Sequence, residues 1–414
     1  MYFFYFFPLG LDRRLNRRPV LSWSLMVLMA VAFGWLKYAP GLLPLDPWDL
    51  VFFPGDGPPW AVTTAIFMHA GWFHLLGNLL YFFVLAPPLE DRLGPWKFAL
   101  YLLLLGNFGN LVHGLVSAFG LLGQGGLGVM GASGAIAGML GFSMIRFFDA
   151  KVAVAWWVLA PLAGQNKAGK TRIPLAAAAG LWLLLQVVQA SVAPETGTNV
   201  SFGAHLGGFV MGLVMALALG ELKAGKAEAA QDRARRYFSA GHYHAAVGAW
   251  SEYLEMVPTD FEARLELGRA MKVSGQASES ALIFKQGFGR LLKEGRADEA
   301  LVIYDEATRS ELDLDLAPDE LARVAIYKEK QLDYHGALDA YRRLYETYPR
   351  HTEAHRALVR VIVLCHGKVG DQAAAAHWLR EACLHLPPGS WRSFLEREFN
   401  LSAAPGADPV PTRN

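Results

Sequence analysis

Six apolar stretches ending at Leu219 decide what the first half of this chain can fold into. They run roughly Val20–Leu36, Ala61–Leu85, Phe98–Phe119, Leu127–Phe148, Ile173–Val192 and Val200–Leu219. Each is long and apolar enough to cross a bilayer as a helix. A seventh, Val152–Ala163, has about twelve residues, too few to cross, and reads as interfacial or re-entrant. The opening MYFFYFFPLG lacks a basic n-region and a small-residue cleavage site. It reads as an aromatic anchor at the membrane surface rather than a cleaved signal.

Lysine and arginine orient the spans. Arg13, Arg14, Arg17 and Arg18 precede the first. Arg92 and Lys97 join the second to the third, and Arg146, Lys151, Lys167, Lys170 and Arg172 join the fourth to the fifth. Lys223 and Lys226 follow the sixth. The connections at about 40–60, 120–126 and 193–199 have neither lysine nor arginine and carry Asp46, Asp49, Asp56 and Glu195. All basic connections fall on one side, with Lys37 marginal. The expectation is a multi-pass protein of an inner (cell) membrane with both termini cytoplasmic.

Polar side chains in hydrocarbon cost free energy and default to a functional hypothesis, with helix-to-helix glue as the plain alternative. The spans hold His69, His74, Asn78, Asn107, Asn110, His113, Ser133, Ser143 and His205. Counted along a helix from the outer face, Ser133 and His205 both sit roughly 8–9 Å deep. His74 and Asn78 lie in the upper half of the second span, at i and i+4 on one helical face. Gly131, Gly134, Gly138 and Gly141 make one smooth face on the fourth span, and Ala204, Gly208, Gly212 and Ala216 recur every four residues on the sixth. Small residues at these spacings let membrane helices touch backbone to backbone.

Such contact would bring the Ser133 hydroxyl to the His205 imidazole. A serine needs a base to become a nucleophile, and histidine titrates in the right range. An imidazole N–H from His74 and an amide NH2 from Asn78, aimed at one point, would make an oxyanion site. No intramembrane Asp or Glu offers a third member, so the pair is a dyad. Nothing in the sequence names the group that orients the imidazole.

The whole membrane half, about Val20 to Leu219, resembles the rhomboid family of intramembrane serine proteases. GASG at 131–134 is similar to the family's G-x-S-G nucleophile motif, AHLGG at 204–208 to its histidine-bearing last helix, HLLGN at 74–78 to its H-x-x-x-N motif, and EDRLG at 90–94 to its E-x-R-x-G. The resemblance implies Ser133 as nucleophile and His205 as general base and acid. It also implies His74 and Asn78 as oxyanion donors, helped by the Ser133 backbone N–H. It further implies cleavage of a peptide bond in or near a transmembrane segment, in substrates with small residues at the cut and a helix that unwinds easily. Trp60 fits the tryptophan of the family's first outer loop, but Ala61 stands where arginine is common. Ala137 stands where some members place an aromatic residue against the histidine. His69 reads as structural, Glu90 and Arg92 as a cytoplasmic ion pair, and the loop at 40–59 as a cover over the site.

Beyond Glu221 the chain becomes rich in Ala, Glu, Arg and Lys, like a soluble helical protein. SAGHYHAAVGAWSEYLEMVPTD (239–260) is similar to QLDYHGALDAYRRLYETYPRH (331–351), with Tyr243 on Tyr334, Ala246 on Ala337 and Pro258 on Pro349. EGRADEALVIYDEA (294–307) shares the rhythm, and Gly241 and Gly275 stand one period of about 34 residues apart. The segment resembles a divergent tetratricopeptide array of about four hairpins, whose concave face would bind extended peptides or partner helices. A helical array that merely stabilises the protein or its dimer is the plain alternative.

The expected fold class is therefore all-α: a six-helix transmembrane rhomboid bundle over 1–222, a cytosolic α-solenoid of tetratricopeptide-like hairpins over 223–400, and a disordered tail over 401–414. A formal net charge of +1 argues against nucleic-acid binding. Cys365 and Cys383 suit neither a metal site nor a disulfide framework, and no cofactor is expected. Expected partners are transmembrane protein substrates, the lipid bilayer, and proteins bound by the repeats. Two rivals remain: a catalytically silent relative that binds transmembrane helices, and a small-solute channel or transporter using the same polar residues.

Overall fold

The computed structural model describes residues 3–120, 128–160, 165–196 and 201–399. It divides into two units, Met1–Ala229 and Ala230–Asn414. In the first, the long helices are α1 (Val20–Tyr38), α3 (Trp72–Leu93), α4 (Pro95–Ala118), α5 (Ser133–Arg146), α6 (Leu175–Thr196) and α7 (Phe202–Ala218), with a single turn, α2 (Ala61–Thr64), before α3. Large apolar side chains stand on their outer faces: Phe73 is 95% exposed, Val27 63% and Leu181 57%. Such surface suits lipid rather than water, and with the apolar helices it marks a membrane protein. Among the described residues α1, α3 and α4 are long and apolar enough to cross a bilayer. So is α7 taken with α8 (Glu221–Ser239), from which it is bent by 71°.

Two expected spans are built differently. The one expected from Ala61 starts as short helical turns through Phe67, breaks at an extended Gly71, and becomes a regular helix only at Trp72. That helix then runs through Pro87 and Pro88 to Leu93. Gly94, with φ of +78°, turns the chain, and Pro95 opens α4; a positive φ is what glycine tolerates. The fourth expected span yields α5, only 14 residues, or about 21 Å at 1.5 Å per residue. Its leading described residues, 128–132, are not helical, and Val129 pairs with Phe52 as an isolated β-bridge. The helical depth count therefore does not hold for Ser133, which stands first in its helix.

Helices carry the fold, as expected, but a small sheet is added to them. Strands β1 (Phe3–Leu11), β2 (Lys151–Ala160) and β3 (Gln165–Pro174) form one antiparallel sheet with β2 central. The aromatic N-terminal anchor and the described part of the short seventh stretch are thus paired strands. β-branched and aromatic residues favour this state, and pairing satisfies the backbone groups that a lone segment at a membrane surface leaves open. Val152 and Val154 are buried with Phe147, Ala150 and Leu175. Residues 161–163 of that stretch, the loops at 121–127 and 197–200, and the tail at 401–414 lie outside the described residues.

Glu90 and Arg92 do not pair with each other as expected. The Glu90 carboxylate accepts from the Leu21 and Ser22 backbone N–H at 3.0 and 2.7 Å and from Ser22 Oγ at 2.6 Å. It therefore caps α1, whose N-cap residue, Pro19, offers no side-chain cap. Arg92 pairs with Asp91 and, at 2.6 Å, with Glu228. Glu228 also holds Arg146, the last residue of α5, at 2.7 Å, and Arg146 Nε lies 3.0 Å from Glu221.

In the second unit α9 (Tyr243–Met256), α10 (Phe261–Val273), α11 (Ala277–Lys293), α12 (Ala297–Arg309), α13 (Pro318–Lys330), α14 (Tyr334–Thr347), α15 (Thr352–Leu364) and α16 (Gln372–His385) follow one another and pack on their chain neighbours. Tyr243 and Tyr334 open α9 and α14, Ala246 and Ala337 are fully buried, and Pro258 and Pro349 fall in the turns that follow.

Candidate active site

α5 and α7 meet backbone to backbone at their glycines. A Cβ on Gly208 would strike the carbonyl of Gly134, one on Gly212 that of Gly138, and one on Gly141 that of Phe209. Glycine at these positions therefore sets the helix separation. Ser201 caps α7, its Oγ accepting from Ala204 N–H at 3.3 Å and lying 2.7 Å from His113 Nδ1 on α4. Two residues of α5 and α7 then face each other: His205 Nε2 lies 2.7 Å from Ser133 Oγ.

His74 and Asn78 occupy adjacent turns of α3 and converge on Gly131. Gly131 has a φ of +122°, and its N–H donates to the Ala65 carbonyl at 2.8 Å. A Cβ there would stand 2.7 Å from His74 Nε2 and 3.4 Å from Asn78 Nδ2. Gly131 is thus not part of the smooth face on the fourth span. It is the opening through which two donors approach the start of α5. Asn78 Nδ2 is buried and has no hydrogen-bond partner among the described residues. An unmatched buried donor is costly; His69 Nε2, Asn107 Oδ1 and Ser143 Oγ are likewise buried without a partner among the described residues. The positive end of α5 lies at Ser133, which favours negative charge developing there.

Of the other polar residues of the spans, Asn110 and His113 join neighbouring elements. Asn110 Nδ2 donates to the Val62 carbonyl at 2.7 Å, tying α4 to α2. His69 is fully buried, with Nδ1 3.2 Å from the Phe67 carbonyl and its ring 5.3 Å from that of His74. Ser143 is fully buried on α5, far along the helix from Ser133. Asn107 lies a turn before Asn110 on the same helix.

Two residues at the site escaped the sequence reading. Gln186 Oε1 on α6 lies 2.7 Å from His205 Nδ1, on the far side of the ring from Ser133. Trp182, one turn earlier, has its ring 6.1 Å from that of His205 and 5.9 Å from that of Phe209. Ala137 packs with Ala179 and Phe209, beside Trp182. The aromatic neighbour of the histidine therefore comes from α6 instead of from the position four beyond the serine. The available signal was a lone glutamine within LWLLLQVV, four residues after a tryptophan. The loop expected as a cover places Phe52 against Val129, with backbone bonds of 3.1 and 2.8 Å, and so pins the strand entering the site.

Two curated proteins of Arabidopsis thaliana are similar to this chain. RHOMBOID-like protein 1 is 28% identical over 156 residues, 38% of this chain and 33% of its own length. RHOMBOID-like protein 5 is 26% identical over 164 residues, 39% of this chain and 46% of its own. The chain thus spans less than half the length of these relatives. Residues 56–222, which contain Ser133, His205, His74, Asn78, Gln186 and Trp182, match the family model described as Rhomboid domain.

Proposed function

We propose that residues 1–222 are an intramembrane serine endopeptidase that cleaves transmembrane segments of other membrane proteins. The observation carrying this reading is the 2.7 Å approach of His205 Nε2 to Ser133 Oγ at the N-terminal end of a helix. Ser133 Oγ attacks the carbonyl carbon of the scissile peptide while His205 takes its proton. The negative oxygen that forms accepts from His74, Asn78 and the Ser133 backbone N–H. His205 then protonates the leaving amine, and the C–N bond breaks to give an ester on Ser133. Water, activated by the same imidazole, hydrolyses that ester and restores the hydroxyl. A helical amide is shielded by its own hydrogen bonds, so substrates with locally weak helices are preferred.

In this reading both termini are cytoplasmic, and residues 223–400 recruit substrates or adaptor proteins as a tetratricopeptide-like array. The test is covalent labelling by a fluorophosphonate in detergent or liposomes. The wild type labels, and Ser133→Ala and His205→Ala do not. Failure of a folded wild type to label, while a known intramembrane serine protease labels alongside, overturns the reading and favours a silent protein that binds transmembrane helices. Labelling that survives Ser133→Ala overturns it too.

A further inference from the structure

Taking the dyad as proposed, we infer that Gln186 is the third member of the site, a positioning residue that sets the tautomer and orientation of His205. For Nε2 to take the Ser133 proton, Nδ1 must carry the ring hydrogen and needs an acceptor for it. Gln186 Oε1, 2.7 Å from Nδ1, is that acceptor. Were the amide turned over, its NH2 would face Nδ1, the hydrogen would move to Nε2, and the base would be lost.

The choice of glutamine follows from the solvent. An aspartate here would orient the ring equally well, but it would place a full charge among apolar helices. A neutral amide offers the same lone pairs without that penalty, at the cost of weaker stabilisation of the imidazolium formed during the reaction. Trp182 lies one turn earlier on the same face of α6 and packs beside the ring. α6 thus holds the imidazole by a hydrogen bond at one edge and an aromatic neighbour at its side. The opposite edge is left to Ser133.

Gln186→Leu removes the acceptor at similar volume, and Gln186→Glu keeps it. The full chain in detergent is followed by fluorophosphonate labelling rate against pH, by the labelled fraction at the end point, and by NMR of isotope-labelled histidine. Gln186→Leu lowers the labelling rate about tenfold, the order expected for losing one such hydrogen bond. The final labelled fraction is unchanged, and His205 becomes a mixture of tautomers. Gln186→Glu restores part of the rate, and the acid limb of its profile moves to higher pH, because a carboxylate favours the imidazolium. If Gln186→Leu labels at the wild-type rate with an unshifted profile, while His205→Ala does not label, this inference fails and the dyad stands. A smaller labelled fraction at unchanged rate and tautomer makes Gln186 a packing residue and also overturns it. If the wild type itself does not label, the protease reading fails first.

Discussion

Asn78, a proposed oxyanion donor, turns a buried amide nitrogen towards Gly131 and bonds it to nothing among the described residues. Truncating it removes no hydrogen bond of the resting protein. Asn78→Ala is therefore expected to leave the stability within about 1 kcal/mol of wild type. Turnover of a transmembrane substrate falls about a hundredfold, the usual cost of one oxyanion donor. The loss appears in kcat and hardly in KM, as for a contact made only in the transition state. Kinetics in detergent check this; unchanged kcat makes Asn78 glue like Asn110. The approach of Ser133 to His205 and the shared face of His74 and Asn78 were legible in the sequence, because polar atoms in an apolar span need a reason and short spacings placed them on facing helices. Gln186 was not legible. Its role depends on the rotation of α6 about its axis, which a run apolar on all sides does not specify.

α5 and α7 could be placed side by side from the sequence, because glycines at three- and four-residue spacing admit a close backbone approach. The sheet could not be foreseen, because in β2 the inward Val152 and Val154 alternate with residues that are themselves apolar, so period two is hidden. Nor could the role of α8, whose glutamates answer arginines far away in the chain. Burial opposes ionisation of Glu228, but Arg146 and Arg92 outweigh it and hold the carboxyl below the ordinary value of 4.5. Burial dominates at Glu221, and its carboxyl lies above that value despite Arg146 and Lys97. The signs are opposite. A depressed carboxyl contributes stability that is fully present above its unfolded value and is lost as the pH falls through the folded one. A raised carboxyl penalises the folded state as the pH rises past its unfolded value. Glu228→Gln is therefore expected to cost about 2 kcal/mol at neutral pH, because it takes one of two carboxylate partners from each of two largely buried arginines. Glu221→Gln is near neutral. Thermal unfolding in mild detergent at pH 7 and pH 4 separates them: the Glu228→Gln deficit shrinks at the lower pH, and equal deficits at both sites would show that the arginines do not depend on Glu228.

At the scale of the whole molecule the first unit ends inside α8, so the place where the chain is cut decides what a truncation tests. A chain ending at Ser239 keeps Glu221 and Glu228. One ending at Leu222 loses Glu228 and leaves Arg92 without that partner. If the repeats serve recruitment, the longer truncation labels with a fluorophosphonate at the wild-type rate and cuts a generic transmembrane substrate normally. In cells it loses cleavage of some native substrates and some co-purifying proteins. The shorter truncation adds a fall in melting temperature, close to that of Glu228→Gln, because it removes the same carboxylate. Were both truncations to lose melting temperature equally while native cleavage and co-purifying proteins stayed as in the wild type, the helical array would be a stabilising element. The hairpin correspondence of α9 with α14 would then record the ancestry of a scaffold and carry no binding role.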